Sequence, residues 1–203
     1  MGDNLTPLDV VKFTSAFGSW LQNNKGKKDL TLVIGRDARI SGQMVSSLVS
    51  ATLQGLGIHV IDLGLSTTPT VEVMVPELGA DGGIILTASH NPKQWNALKL
   101  LNEKGEFING ENGAEVLALA EREDFGYAEV DNLGKYETRE DGFAVHIAKI
   151  LALPMVDAEA VKAKKFKVVL DAVNSTGGIA LPPLLEQLGC EVVKLYCEPN
   201  GHL

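Results

Sequence analysis

The chain has 203 residues, and 18 Lys+Arg against 26 Asp+Glu give a formal charge of −8, which argues against a broad basic surface for nucleic acid. Hydrophobic residues make up 45% and charged residues 22%, the balance of a chain that folds around a core. No uncharged apolar run reaches the roughly 18 residues of a membrane span, and no basic stretch leads into an apolar one near Met1. The expectation is a cytoplasmic protein with no nucleic-acid or membrane partner, its oligomeric state left open.

Thr6-Pro7-Leu8-Asp9 offers a cap, a proline at the first helical position and an acid at the third. Val10, Phe13, Phe17, Trp20 and Leu21 follow at helical spacing, which predicts a first helix. Residues 30–34 and 58–61 are short apolar runs that read as strands, with a helix over 44–56 between them. The alternation continues with a helix near 70–78 and a strand at 83–86. Residues 98–101 predict another strand, 106–108 a short segment, 112–121 a helix and 143–151 a further helix. Residues 124–135 are acidic and poorly periodic. Pro154 marks a boundary, dividing the chain into a first domain over 1–153 and an incomplete second over 154–203. In the second, a strand over 166–170, a loop over 171–178, a helix to Leu188 and a strand over 192–196 form one further unit. The expected fold is α/β, a mixed, largely parallel sheet sandwiched by helices, followed by the first part of a second, similar α/β domain. Cys190 and Cys197 flank the last strand without metal-ligand spacing and are expected to be reduced and buried.

Ligands of open α/β sheets collect at the carboxyl ends of strands, which directs attention to three loops. In Gly35-Arg36-Asp37-Ala38-Arg39-Ile40-Ser41-Gly42 the arginines can bind phosphate, but the favoured reading pairs them with acids while Asp37 and Ser41 cap the next helix. In Thr87-Ala88-Ser89-His90-Asn91-Pro92 a tight turn exposes the Ser89 hydroxyl and aims nearby amides outward as an anion cradle. His90 and Lys99 can then hold the anion and move a proton. An Asn-Pro turn with a serine cap and a solvated histidine explains the same residues equally well. In residues 171–178, Asn174 or Ser175 can cap the following helix. His59 and His146 fall within strand and helix patterns and read as structural. No Gly-x-Gly-x-x-Gly follows a strand, and neither a phosphate-binding Gly-x-x-x-x-Gly-Lys-Ser/Thr nor a Gly-x-Ser-x-Gly elbow occurs. A serine hydrolase therefore ranks low.

The segment 87–92 resembles the phosphoserine loop of the α-D-phosphohexomutases, the family of phosphoglucomutase, phosphomannomutase and phosphoglucosamine mutase. The resemblance extends to residues 35–42, to Trp95-Asn96-Ala97-Leu98-Lys99 and to residues 171–178, so it covers most of the chain in order and spacing. It implies that Ser89 carries a phosphate with an oxygen on Mg²⁺, that Lys99 does acid–base or electrostatic work, and that His90 steers it. Thr87, Ala88, Asn91 and Pro92 would complete the substrate and phosphate loop. The implied reaction interconverts hexose 1-phosphate and hexose 6-phosphate through a bound 1,6-bisphosphate, with a glucose 1,6-bisphosphate-type activator. The sequence also departs from the family pattern. Ala97 replaces the usual glycine, and the family's catalytic arginine segment, its Asp-x-Asp-x-Asp metal loop and its last two domains are not found. The 203 residues alone are therefore expected to be inactive, with the remaining Mg²⁺ ligands elsewhere in the second domain. A phosphoglucosamine mutase and a non-catalytic sugar-phosphate-binding module are the alternatives.

Overall fold

The structure, a computed structural model, describes residues 5–202. Helix α1 (Pro7–Lys25) starts where the Thr6 hydroxyl accepts from the Asp9 amide at 3.2 Å and the Asp9 carboxylate accepts from the Thr6 amide at 2.7 Å. This reciprocal cap satisfies two amide donors that the first helical turn leaves unpaired. There follow β1 (Thr31–Arg36), α2 (Gly42–Gly55), β2 (His59–Leu65), α3 (Thr68–Glu77), β3 (Gly82–Leu86), β4 (Leu98–Leu101), α4 (Gly110–Arg122), β5 (Tyr136–Thr138) and α5 (Gly142–Leu151). The chain continues through α6 (Ala158–Lys164), β6 (Lys167–Asp171), α7 (Gly177–Gln187) and β7 (Glu191–Leu195).

The first five strands form one sheet in the order β4-β3-β1-β2-β5, parallel throughout except that β4 runs antiparallel to β3. Side chains along β1 alternate between its two faces. Leu32 and Ile34 enter a core with Phe17 of α1, Val45 and Leu53 of α2 and Val116 of α4. Val33 enters the opposite core with Val71, Met74 and Val75 of α3, and Val145 of α5 packs against it. The fold is thus α/β, a mixed and mostly parallel sheet covered by helices on both faces. In the second unit β6 and β7 pair in parallel. Val169 there is 64% exposed, where Val33 of the first sheet is 0%.

Three sequence expectations change. Strand β5 lies where no strand was predicted, because its three residues are all exposed; it is held by parallel pairing to β2 and by the Tyr136 hydroxyl donating to Asp62 Oδ2 at 2.8 Å. Helix α6 was also missed: it has seven residues and none is buried, so it shows no apolar periodicity, although Asp157 caps it by accepting from the Ala160 amide at 2.9 Å. Cys190 and Cys197 are free and flank β7 as expected, but they are half-buried rather than buried, since β7 lies in a two-stranded sheet. The acidic stretch is pinned through its backbone, with the Ala128 amide donating to Gly55 O at 2.8 Å and the Gly134 amide to Gln54 O at 2.9 Å.

Because β1 and β3 are parallel neighbours, the turn after β1 and the loop after β3 leave the sheet at the same edge. The Asp37 amide donates to Leu86 O at 3.1 Å and joins the two exits.

Candidate active site

Ser89 stands on the loop between β3 and β4, exposed, with φ of 54°. That left-handed conformation is uncommon for a residue with a Cβ, and here both backbone polar groups of the serine are held. Its amide donates to Thr87 Oγ1 at 3.1 Å, and its carbonyl accepts from Arg39 Nη2 at 2.8 Å. Thr87 Oγ1 in turn donates to Asp37 Oδ2 at 2.6 Å. The same carboxylate oxygen accepts from Arg39 Nε at 3.0 Å.

Arg39 is 1% exposed, and its guanidinium is surrounded by the loop's own carbonyl groups. Nη2 also donates to Asn91 O at 2.8 Å, and Nη1 donates to Pro92 O at 2.9 Å and Trp95 O at 3.0 Å. With Nε on Asp37, every N–H of the guanidinium has an acceptor. Of the two readings of this turn, pairing with an acid describes Arg39. Arg36 instead donates to Gln43 Oε1 at 2.9 Å and to Asp37 O at 3.3 Å, and it pairs with no acid among the described residues.

The expected helix caps are corrected here. Asp37 turns back, accepting from the Arg39 amide at 3.0 Å, and Ser41 holds the cap position of α2 without a side-chain cap bond. The Ser41 hydroxyl accepts from Asn96 Nδ2 at 3.0 Å, tying the far end of the serine loop to the same turn. In the second unit Thr176, not Asn174 or Ser175, holds the cap position of α7, and Asn174 Nδ2 donates to His202 O at 3.0 Å. Competing partners draw the Asp37, Ser41 and Asn174 side chains away from the helix ends.

The remaining predicted site residues fall in two places. Asn91 braces the loop, its amide and Nδ2 both donating to Ala88 O, at 3.0 and 2.8 Å. His90 is exposed, and among the described residues its ring makes no hydrogen bond or ion pair. Lys99 lies on β4 opposite Ile85, its ammonium 5.7 Å from the centre of the Phe107 ring. Its charge also reaches Glu72, whose carboxyl is pushed up by burial and drawn partly back by Lys99. No hydrogen bond joins Lys99 to Ser89 or His90 among the described residues. Ala97 is not in the left-handed region, so its position needs no glycine. His59 accepts from the Lys135 amide at 2.8 Å and His146 shares a hydrogen bond with Thr70 Oγ1 at 2.9 Å, both structural roles.

The arrangement presents a serine hydroxyl to solvent on a braced turn at the carboxyl edge of a parallel sheet. Such a hydroxyl can accept and return a group from a ligand in that crevice. Sequence reasoning missed the hub formed by Asp37 and Arg39. Four of the Arg39 acceptors are main-chain carbonyls 50 to 56 residues away, and a carbonyl leaves no mark on residue type. The described residues contain no group of three or more His, Cys, Asp or Glu side chains able to hold a metal. Asp37, the carboxylate beneath the loop, has both oxygens engaged. These residues do not by themselves fit a Mg²⁺ site.

A family model described as phosphoglucomutase/phosphomannomutase, alpha/beta/alpha domain I, matches residues 1–127, and that of alpha/beta/alpha domain II matches residues 141–203. A phosphoglucomutase/phosphomannomutase of Thermococcus kodakarensis is 37% identical over 98% of this chain and 43% of its own length. A phosphoglucosamine/phosphogalactosamine mutase of Sulfurisphaera tokodaii is 34% identical over 98% of this chain and 42% of its own length. Among solved structures, a phosphoglucomutase/phosphomannomutase family protein from Burkholderia thailandensis matches with a TM-score of 0.78 at 25% identity, over 100% of this chain and 43% of that one. The chain thus spans less than half the length of these relatives. With both family models matched in order along the sequence, the chain belongs to the phosphoglucomutase/phosphomannomutase family.

Proposed function

We propose that this chain supplies the phosphoryl-carrying part of a phosphohexomutase, with Ser89 taking a phosphoryl group from a hexose phosphate and returning it at the other position of the sugar. The observation that carries the reading is the Ser89 hydroxyl, exposed on a left-handed turn whose amide and carbonyl are both fixed. Transfer between two oxygens depends on alignment, and a fixed nucleophile supplies it. His90 lies beside that hydroxyl in sequence and is exposed, which suits steering of the anion. Thr87, Ala88, Asn91 and Pro92 shape the loop, and Lys99 is retained for electrostatic or proton-transfer work on its match to the family lysine. The activator is of the glucose 1,6-bisphosphate type. Mg²⁺ would take an oxygen of the Ser89 phosphate, with its other ligands outside the described residues.

The division at residues 153 and 154 belongs to the same reading, with α5 packed on the first unit through Val145. No helix among the described residues is long and apolar enough to cross a membrane. A cytoplasmic setting is part of the same proposal. Relatives named for phosphoglucosamine favour that amino sugar as a second substrate reading beside glucose and mannose. The 203 residues alone are proposed not to turn over. Incubating the full-length enzyme with labelled glucose 1,6-bisphosphate and Mg²⁺ should add about 80 Da to the peptide containing Ser89. Folded protein without label there would move a sugar-phosphate-binding module to first place.

A further inference from the structure

We propose that Arg39 is a positioning residue, whose buried guanidinium fixes the Ser89 hydroxyl for phosphoryl transfer without touching the substrate. The proposal rests on the phosphoserine reading above. The two backbone groups of Ser89 lead by separate routes to a single atom, Asp37 Oδ2. The amide reaches it through Thr87 Oγ1, and the carbonyl through Arg39. The serine is thereby clamped from both sides in a conformation that costs a non-glycine residue about 1–2 kcal/mol.

A cation is required at the centre of this clamp. The carbonyls of Ser89, Asn91, Pro92 and Trp95 converge there with their negative ends inward, beside the Asp37 carboxylate. A planar guanidinium offers five donors in a fixed fork and satisfies all of them at once, whereas an ammonium offers three. With every donor taken and 1% of the residue exposed, Arg39 has none left for a sugar phosphate, which separates positioning from direct binding. Arg36, on the same turn and only partly buried, does not reach the loop carbonyls.

The test compares Arg39→Lys, Arg39→Ala and Thr87→Val in the full-length enzyme. Folded Arg39→Lys should lose about 10²-fold in kcat and in the rate of Ser89 phosphorylation by glucose 1,6-bisphosphate, with the KM for hexose phosphate moved less than about threefold. Guanidinium ion at millimolar concentration should restore part of the kcat of Arg39→Ala, a response that loss of stability alone would not give. Folded Arg39→Lys with kcat within about twofold of the parent, or with the loss wholly in KM, overturns the proposal. Should neither arginine variant fold, Thr87→Val decides, since it keeps Arg39 and cuts only the amide-side route. A loss of about tenfold or more in kcat supports the clamp, and a smaller loss overturns it. Ser89→Ala separates the two levels: activity retained there defeats the phosphoserine reading itself, whereas an essential Ser89 with a dispensable Arg39 defeats only the positioning role.

Discussion

The loop after β3 and the loop after β6 occupy equivalent places, each at the carboxyl end of a parallel strand and each with non-glycine residues in the left-handed region. Ser89 has φ of 54° in the first, and Val173 and Asn174 have φ of 45° and 54° in the second. They are held by different means. The first sits over the buried Asp37 and Arg39. The second is tied at the surface, with the Asn174 amide donating to Tyr196 O at 2.6 Å and the Gly201 amide donating to Asn174 O at 3.2 Å. A buried charged brace fixes a side chain in place but fails as a unit, because losing one member leaves the others desolvated and unpaired. Surface main-chain ties tolerate change, because water replaces a lost partner.

The largest expected effect breaks the first brace. Arg39→Ala should cost about 3–5 kcal/mol in urea unfolding, since it removes the guanidinium from the Asp37 carboxylate and from four loop carbonyls at once. A loss below about 1 kcal/mol would place the two loops in one class. Next is the point where the regions meet. Gly201 has φ of +77°, and a Cβ there would lie 2.2 Å from Ala38 O, one residue before Arg39. Gly201→Ala should destabilise by about 1–3 kcal/mol and speed amide exchange over residues 38–41. Unchanged exchange there would show that the two loops are mechanically independent.

The second loop should respond in the opposite sense to the first. Val173 is β-branched and 59% exposed, so its left-handed backbone is strain without compensating burial. Val173→Asn should raise stability by about 0.5–1 kcal/mol, read as a higher melting temperature, and a lower one would show that the valine packs usefully. The smallest effect belongs to neither loop. Burial holds the His146 imidazole below its ordinary 6.5. The unfolded chain therefore takes up a proton before the folded one does, so the stability is full above about pH 6.5 and is lost as pH falls toward the folded value. His146→Gln should flatten the decline in melting temperature below pH 6.5, and an unaltered decline would assign it to other groups.

How much of this was readable in the sequence depends on where each cause lies. The start of helix α1 was legible to the residue because its cap, proline and third-position acid are local chemistry. The strands of the first sheet were legible as apolar runs because both of their faces are covered. β5 and α6 were not, having no buried residues to make a pattern. At the site, Thr87 to Pro92 could be singled out from residue types. The caps assigned to Asp37, Ser41 and Asn174 failed because each side chain has another partner: Asp37 binds Arg39 two residues on and Thr87 50 residues away, Ser41 binds Asn96, and Asn174 binds the His202 carbonyl.

The sequence by itself determined the two-faced sheet, the serine loop at its carboxyl edge and, through its motifs, the family. Periodicity, caps and small polar turns act over a few residues, and a linear chain displays them directly. Only the tertiary structure decided what holds Ser89 in place. The partners of Arg39 are carbonyl oxygens, which every residue carries, and only the packing of β1 against β3 brings four of them within reach of one guanidinium.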